Sequence, residues 1–265
     1  MKVSILCFSL LLMFLCPCLV YSQDENIVAY WNFDEGVGET AADSSGNGND
    51  GTLNGGVEWT EGAIGNALLF NGIDGYVEVP DSDSLHVVDF TIEAWVKVES
   101  EPAMWDDLIS GHGSGGIIYK HNEYQWVVVG AGHQGAGFDG VLWVGLWGAK
   151  MLSEFNFSEH LGEWRHTAIT FEDASQETRI YVDGELDSEG VVAEHADPST
   201  YRLLIGARLE DVSNYPGGGV MHGALDEVKI SDVVRTEEEI AQAAVMLVEP
   251  LGKLSATWGS IKGGY

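Results

Sequence analysis

The chain has 265 residues, with 12 Lys and Arg against 42 Asp and Glu, a formal net charge of −30. That charge excludes nucleic acid and anionic membrane surfaces as partners, because both would repel it. It suits divalent cations, high salt or basic partners, and equally an acidic surface that keeps an exported protein in solution. The length supports one large domain with its own core.

Residues 1–22 read as a signal peptide, with Lys2 as the positive start, an apolar run over 5–20 and a small-residue cleavage site at Ser22. A membrane anchor is the alternative, but the run is short and polar residues follow at once. No second apolar run is long enough to span a bilayer, so no membrane insertion is expected after cleavage. Cys7, Cys16 and Cys18 all lie inside this segment. The mature chain would then hold neither disulfide nor thiol nucleophile, and any staple would be a metal. A secreted, extracellular or cell-surface location follows.

From Ile27 the chain alternates, with Ile27, Ala29, Trp31 and Phe33 on one face. An acidic, glycine-rich loop follows over 43–51, DSSGNGNDG. Strand-like runs recur at 67–70, 75–79, 90–98, 123–129, 141–147, 165–171, 178–182 and 202–205. In the longest, Phe90, Ile92, Ala94, Val96 and Val98 share a face. Asp183-Gly184 is a hairpin signal. Many short strands at this spacing predict a sandwich or barrel. A helical period appears only at 236–248, where Thr236 and Glu239 form a capping box and Ile240, Ala243, Ala244 and Leu247 share a face. Glu249-Pro250 ends it. The tail over 251–265 reads as a loosely attached appendage.

Four blocks in order resemble the laminin-G-like jelly roll of the concanavalin A-like lectin/glucanase superfamily, in its bacterial secreted form. They are YWNFDEGVGETAADSSGNGNDGTL, ALLFNGIDGYVEVPDSDSLHVVDFTIEAWVKV, EWRHTAITFEDASQETRIYVDGEL and LLIGARLEDVSNYPGGGVMHGALDEVKI. The resemblance implies an all-β jelly-roll sandwich of two antiparallel sheets over 26–232, with a short C-terminal helix and tail over 233–265. It also implies a frequent structural calcium, and leaves the ligand open among glycans, proteins and lipids. Trp31, Trp95 and Trp164 fall in framework motifs and are expected in the core. Residues 101–162 match no quoted motif and supply the loops where ligand choice would lie.

Calcium takes six to eight oxygen ligands in flexible geometry. Asp43-x-Ser45-x-Asn47-Gly48 reproduces the first half of an EF-hand-type loop, but the twelfth position is Asn54 rather than a bidentate Glu. An ordinary polar turn with Asx hydrogen bonds is the plainer alternative. The resemblance implies that Asp226, in the LDEV motif near the domain's end, approaches the loop when the first and last strands pair. The expected calcium ligands are therefore Asp43, Asn47, Asn49 and Asp226, with Asp34 and Glu35 in reserve.

Flat aromatic rings stack on the apolar faces of sugars while polar groups fix orientation. Trp105 in a loop, Trp126 and Trp143 in strands, and His112 in GHGSGG are the candidate ligand contacts; core packing is the alternative for the strand tryptophans. No H-E-x-x-H suggests zinc. The E-x-D-x-x-E of the superfamily's glucanases is missing, as is G-x-S-x-G, so no catalytic residue is named. The expectation is a secreted non-catalytic binding module for extracellular polysaccharide or a surface glycoprotein. An adhesion or protein-interaction module without a sugar site, or a polysaccharide hydrolase or lyase, is the alternative.

Overall fold

The computed structural model of the protein describes residues 24–100, 114–121, 123–129, 140–146, 149–192, 199–208 and 219–245. Among them the strands are β1 (Ile27–Trp31), β2 (Thr40–Ala41), β3 (Gly51–Asn54), β4 (Val57–Glu61), β5 (Asn66–Asn71), β6 (Tyr76–Val79), β7 (Phe90–Val98) and β8 (Ser114–Lys120). They continue as β9 (Tyr124–Val129), β10 (Val141–Leu146), β11 (Ala149–Asn156), β12 (Trp164–Glu172), β13 (Glu177–Val182), β14 (Glu185–Val191), β15 (Leu203–Ile205) and β16 (His222–Ser231). One helix follows, α1 (Glu237–Val245).

Two antiparallel sheets stack. The first runs β14-β13-β12-β7-β16-β5-β4, and the second β11-β10-β9-β8-β15-β6-β3-β2. β16 is long enough to serve two neighbours on one side. Its first half pairs with β5, and its second half with β1, where Trp31 faces Val228. The expected pairing of first and last strands is thus observed.

The core lies between the sheets. β7 alternates as read, sending Phe90, Ile92, Ala94, Val96 and Val98 inward to meet Phe171, Ile180, Leu225 and Ile230. Phe90 packs against Tyr124 and Phe171, with centroids 5.7 and 5.4 Å apart. Trp31 is fully buried there and donates Nε1–H to the Asn49 carbonyl at 2.8 Å.

The other two framework tryptophans depart from expectation. Trp95 is buried, but on the alternate row of β7, edge-on to the His166 ring at 5.3 Å. Trp164 is half-buried, with Lys97 Nζ 5.3 Å from its ring centroid. Both lie on the outer face of the first sheet, because strand alternation sends every second residue away from the core.

That outer face is covered by α1. Ile240 is buried against Ala168 and Tyr181. The capping box forms as read: Thr236 N–H donates to Glu239 Oε2 at 2.8 Å, and Glu239 N–H to Thr236 Oγ1 at 3.3 Å. Asp183 and Gly184 turn the β13–β14 hairpin with φ of 51° and 82°, as an I′ turn requires. A side chain at Gly184 would strike the Ala241 backbone at 2.8 Å, so glycine serves both the turn and the docking of α1.

Candidate functional site

The loop after β1 is held by its own hydrogen bonds. Asp43 Oδ1 accepts the N–H groups of Tyr30 and Ser45, at 3.0 and 2.9 Å, and Oδ2 accepts that of Asn49 at 2.9 Å. Burial alone would raise this carboxyl, but those bonds, with the Ser45 hydroxyl, outweigh it and hold Asp43 below the usual range. Asn47 donates its amide to the carbonyls of Ile27 and Val28. Asn49 is buried; its amide donates to the Val28 carbonyl and its oxygen accepts from Ser82. Glu35 accepts Ala42 N–H at 2.7 Å. The D-x-S-x-N pattern is therefore spent on the turn itself.

The four residues expected around one calcium do not come together. The Tyr30 N–H donates to Asp43 and its C=O accepts from Ser44 N–H. Both groups of one residue point to the same side in a strand, and β16 pairs with β1 on the other side. β1 therefore stands between the Asp43 loop and β16, and Asp226 lies two residues beyond Val228, where their pairing ends.

Asp226 meets other residues. It is fully buried, at the irregularity of β16 where the β7 register shifts. Its carboxylate accepts Ile64 N–H and Glu227 N–H, both at 2.8 Å. Burial pushes it up to about 7, with the neighbouring charges of Glu227 and Asp34 adding to the rise. Burial raises Glu227 too, although the Tyr30 hydroxyl donates to it. Asp34 accepts Asn66 N–H at 3.1 Å. The β4–β5 turn wraps these carboxylates closely: a side chain at Gly62 would meet Asp226 Oδ2 at 2.6 Å, and one at Gly65 would strike Asp34.

Among the described residues no three His, Cys, Asp or Glu side chains converge as a ready metal cluster. Calcium also draws on carbonyls and waters. The glycine cradle beside Asp34, Asp226 and Glu227 could take a cation with carbonyl or water ligands added, although Lys229 already acts on Glu227. In the Asp43 loop the carboxylate already accepts three backbone N–H groups.

A second arrangement lies on the outer face of the second sheet. Leu142 and Val144 point into the core, so Trp143 faces outward. It is buried there, with the Arg208 guanidinium 4.7 Å from its ring centroid. Burial lowers the Arg208 pKa, offset in part by Tyr119. The Arg208 backbone can cross β8 only because position 116 is glycine; a Cβ there would lie 2.6 Å from Arg208 N. Tyr119 hydroxyl and His121 Nδ1 are 2.5 Å apart, and the His121 ring lies 4.5 Å from that of Tyr201, which is 42% exposed. Trp143, Arg208, Tyr119, His121 and Tyr201 thus form a row ending in an open ring.

A buried cation holds the end of that row. Lys120 is fully buried, with Nζ 2.6 Å from Asp81 Oδ1 and 3.3 Å from Glu123 Oε1, and it donates to the Tyr201 carbonyl at 2.7 Å. Trp105 and His112 lie outside the described residues. Trp126 sits in β9 opposite Ile118 and Val144, and its side chain is likewise outside them. Sequence reading did not single out Tyr119, His121, Tyr201 and Arg208, which gather beside Trp143. Their signal was the scatter of aromatics at strand ends, which acquires meaning only once the strands pair.

The sequence pattern described as the concanavalin A-like lectin/glucanases superfamily, in its third laminin-G group, matches residues 70–241. The chain belongs to this superfamily. Its fold is similar to domain 4 of AbnA, a GH43 extracellular arabinanase from Geobacillus stearothermophilus solved in complex with arabinotriose. The two share 19% identity and a TM-score of 0.62, over 83% of this chain and 98% of that one. It is similar also to the binding domain of Paraclostridial Mosquitocidal Protein 1, at 18% identity and a TM-score of 0.62, over 83% of this chain. A third likeness is the binding domain of botulinum neurotoxin DC in complex with rat synaptotagmin II, at 14% identity and a TM-score of 0.60, over 85% of this chain. The chain spans about half of each toxin structure, 52% in both cases. No match was found among curated proteins. These likenesses establish the jelly-roll fold. No helix among the described residues is long and apolar enough to cross a membrane.

Proposed function

We propose that the chain is an exported, non-catalytic binding module that holds an extracellular carbohydrate on the outer face of its second sheet. The observation that carries this is the row from Trp143 under Arg208, through Tyr119 and His121, to the open Tyr201 ring. Rings provide stacking surface, while a guanidinium and an imidazole provide directed donors. The arabinotriose bound to the AbnA domain supports a sugar, and the accessory and toxin binding domains support a role without turnover. Calcium would sit by Asp34, Asp226 and Glu227, pinning the β4–β5 turn to β16.

A glycan array followed by calorimetry on the best hit tests this. Tyr201→Ala should weaken binding by about 1–3 kcal/mol, the range of a hot-spot contact, with no change in Tm. No glycan hit, with or without calcium, would leave the adhesion module standing, a role akin to that of the toxin domain bound to synaptotagmin. Turnover of any polysaccharide would overturn both.

A further inference from the structure

A cavity of about 240 Å³ lies on the outer face of the first sheet, under α1. Glu93 of β7 and Lys229 of β16 both line it, and the two strands set them directly opposite one another. Cross-strand partners have Cβ atoms about 4.5–5.5 Å apart, so a Glu and a Lys placed there would ordinarily close an ion pair.

They do not meet. Glu93 turns toward His166, with Oε1 3.6 Å from Nε2. Lys229 lays Nζ over the Tyr30 ring, 5.1 Å from its centroid, and makes no ion pair among the described residues. Glu93 is only 6% exposed and accepts no hydrogen bond among the described residues. His166 is no counter-charge at neutral pH, because burial lowers it to about 4. Arg235, the other cation on the wall, is already engaged, 2.6 Å from Asp24 and 3.3 Å from Glu239. The cavity therefore separates an acid from an ammonium: burial raises the Glu93 carboxyl, and the charges of Lys229 and Arg235 act on it only from beyond ion-pair distance.

We propose that this cavity is a binding site for a small zwitterion of free amino-acid size, its ammonium on Glu93 and its carboxylate on Lys229. A neutral guest would leave both charges desolvated without compensation. A simple anion would face Glu93, Asp24 and Glu239, and a simple cation would face Lys229 and Arg235. A zwitterion answers both walls, and the Gln242 amide on α1 can serve its remaining polar group. The site is on the opposite sheet from the aromatic row and does not depend on the sugar reading.

Calorimetric titration of the full-length chain with the standard free amino acids, one by one, tests it. At least one should bind, while acetate and methylamine, each carrying half of the charge pair, should neither bind nor compete. Glu93→Gln and Lys229→Met should each weaken binding tenfold or more. Lys229 is half-buried, so its variant is expected to keep the fold and decides the matter if Glu93→Gln does not. Absence of binding for every amino acid at about 10 mM, well above a ~1 mM dissociation constant, would overturn the proposal. So would affinity left unchanged by Lys229→Met.

Discussion

Asp43 lies in the loop on one side of β1 and Asp226 in β16, which pairs with its other side, and their surroundings treat them in opposite ways. Asp43 is half-buried and collects three backbone N–H donors, so its charge is stabilised below the usual carboxylate range. Asp226 is fully buried and accepts two, beside the charges of Glu227 and Asp34, and is pushed up to about 7. The first carboxylate needs no cation. The second would gain from one, because a buried negative charge among like charges is costly until compensated. Oxygen-rich composition therefore gives a hydrogen-bonded turn, and burial among like charges gives a raised carboxyl at Asp226.

The comparison breaks most visibly at Asp43. Asp43→Ala should strip three N–H groups of their charged acceptor and cost about 3–5 kcal/mol in denaturant unfolding, since hydrogen bonds to charged groups contribute about 1.5–3 kcal/mol each. A loss under about 1 kcal/mol would mean that the loop is not held as described.

The pH dependence comes next. Folded Asp226 keeps its proton to about 7, whereas its ordinary value is 3.8. Between those values the folded state binds more protons, so stability falls as pH rises. Without calcium Asp226 should contribute a loss between pH 4 and 8 on the order of 4 kcal/mol, at about 1.4 kcal/mol per unit, and Asp226→Asn should lose that part of the pH dependence while the smaller part from raised Glu227 and Glu93 stays. A wild-type curve that tracks the variant across this range would sink the assignment.

Calcium itself should have the smallest effect. At about tenfold over its dissociation constant it adds ~1.4 kcal/mol, read as a rise in Tm at pH 8. The rise should vanish at pH 4, where Asp226 is protonated, and in Asp226→Asn, yet persist in Asp43→Ala. The reverse pattern between the two variants would return the ion to the Asp43 loop.

Much of the fold was legible because it rests on local period and turn chemistry. The alternation of β7, the Asp183-Gly184 turn and the Thr236–Glu239 box each need only a few neighbouring residues. The edge strands β4 and β14 escaped notice, since most of their side chains are polar and none is buried. Ser114, Gly115 and Gly116 read as a flexible loop yet begin β8. The glycines there leave room for the backbones of Met221, Ala207 and Arg208, a requirement set by segments distant in sequence.

The sites were less legible than the scaffold. Composition and motif order were enough for an acidic jelly roll whose first and last strands pair, because burying apolar faces leaves few other solutions. Which row of β7 faces the core also followed from its residues. That Trp95 would be buried on the opposite row, edge-on to His166, depended on the pairing of β7 with β12, far along the chain. Likewise, Asp226 was placed correctly on the last strand, but that its carboxylate accepts Ile64 N–H, and that the Tyr30 peptide groups point to the Asp43 loop, only the paired strands decide. The aromatic row joins β8, β10 and the segments flanking β15, and the cavity joins β7, β16 and α1. Both are contacts between strangers in sequence. Their geometry exists only once the strands are in register, because side-chain direction alternates and a shift of one residue would turn every one of these groups to the other face.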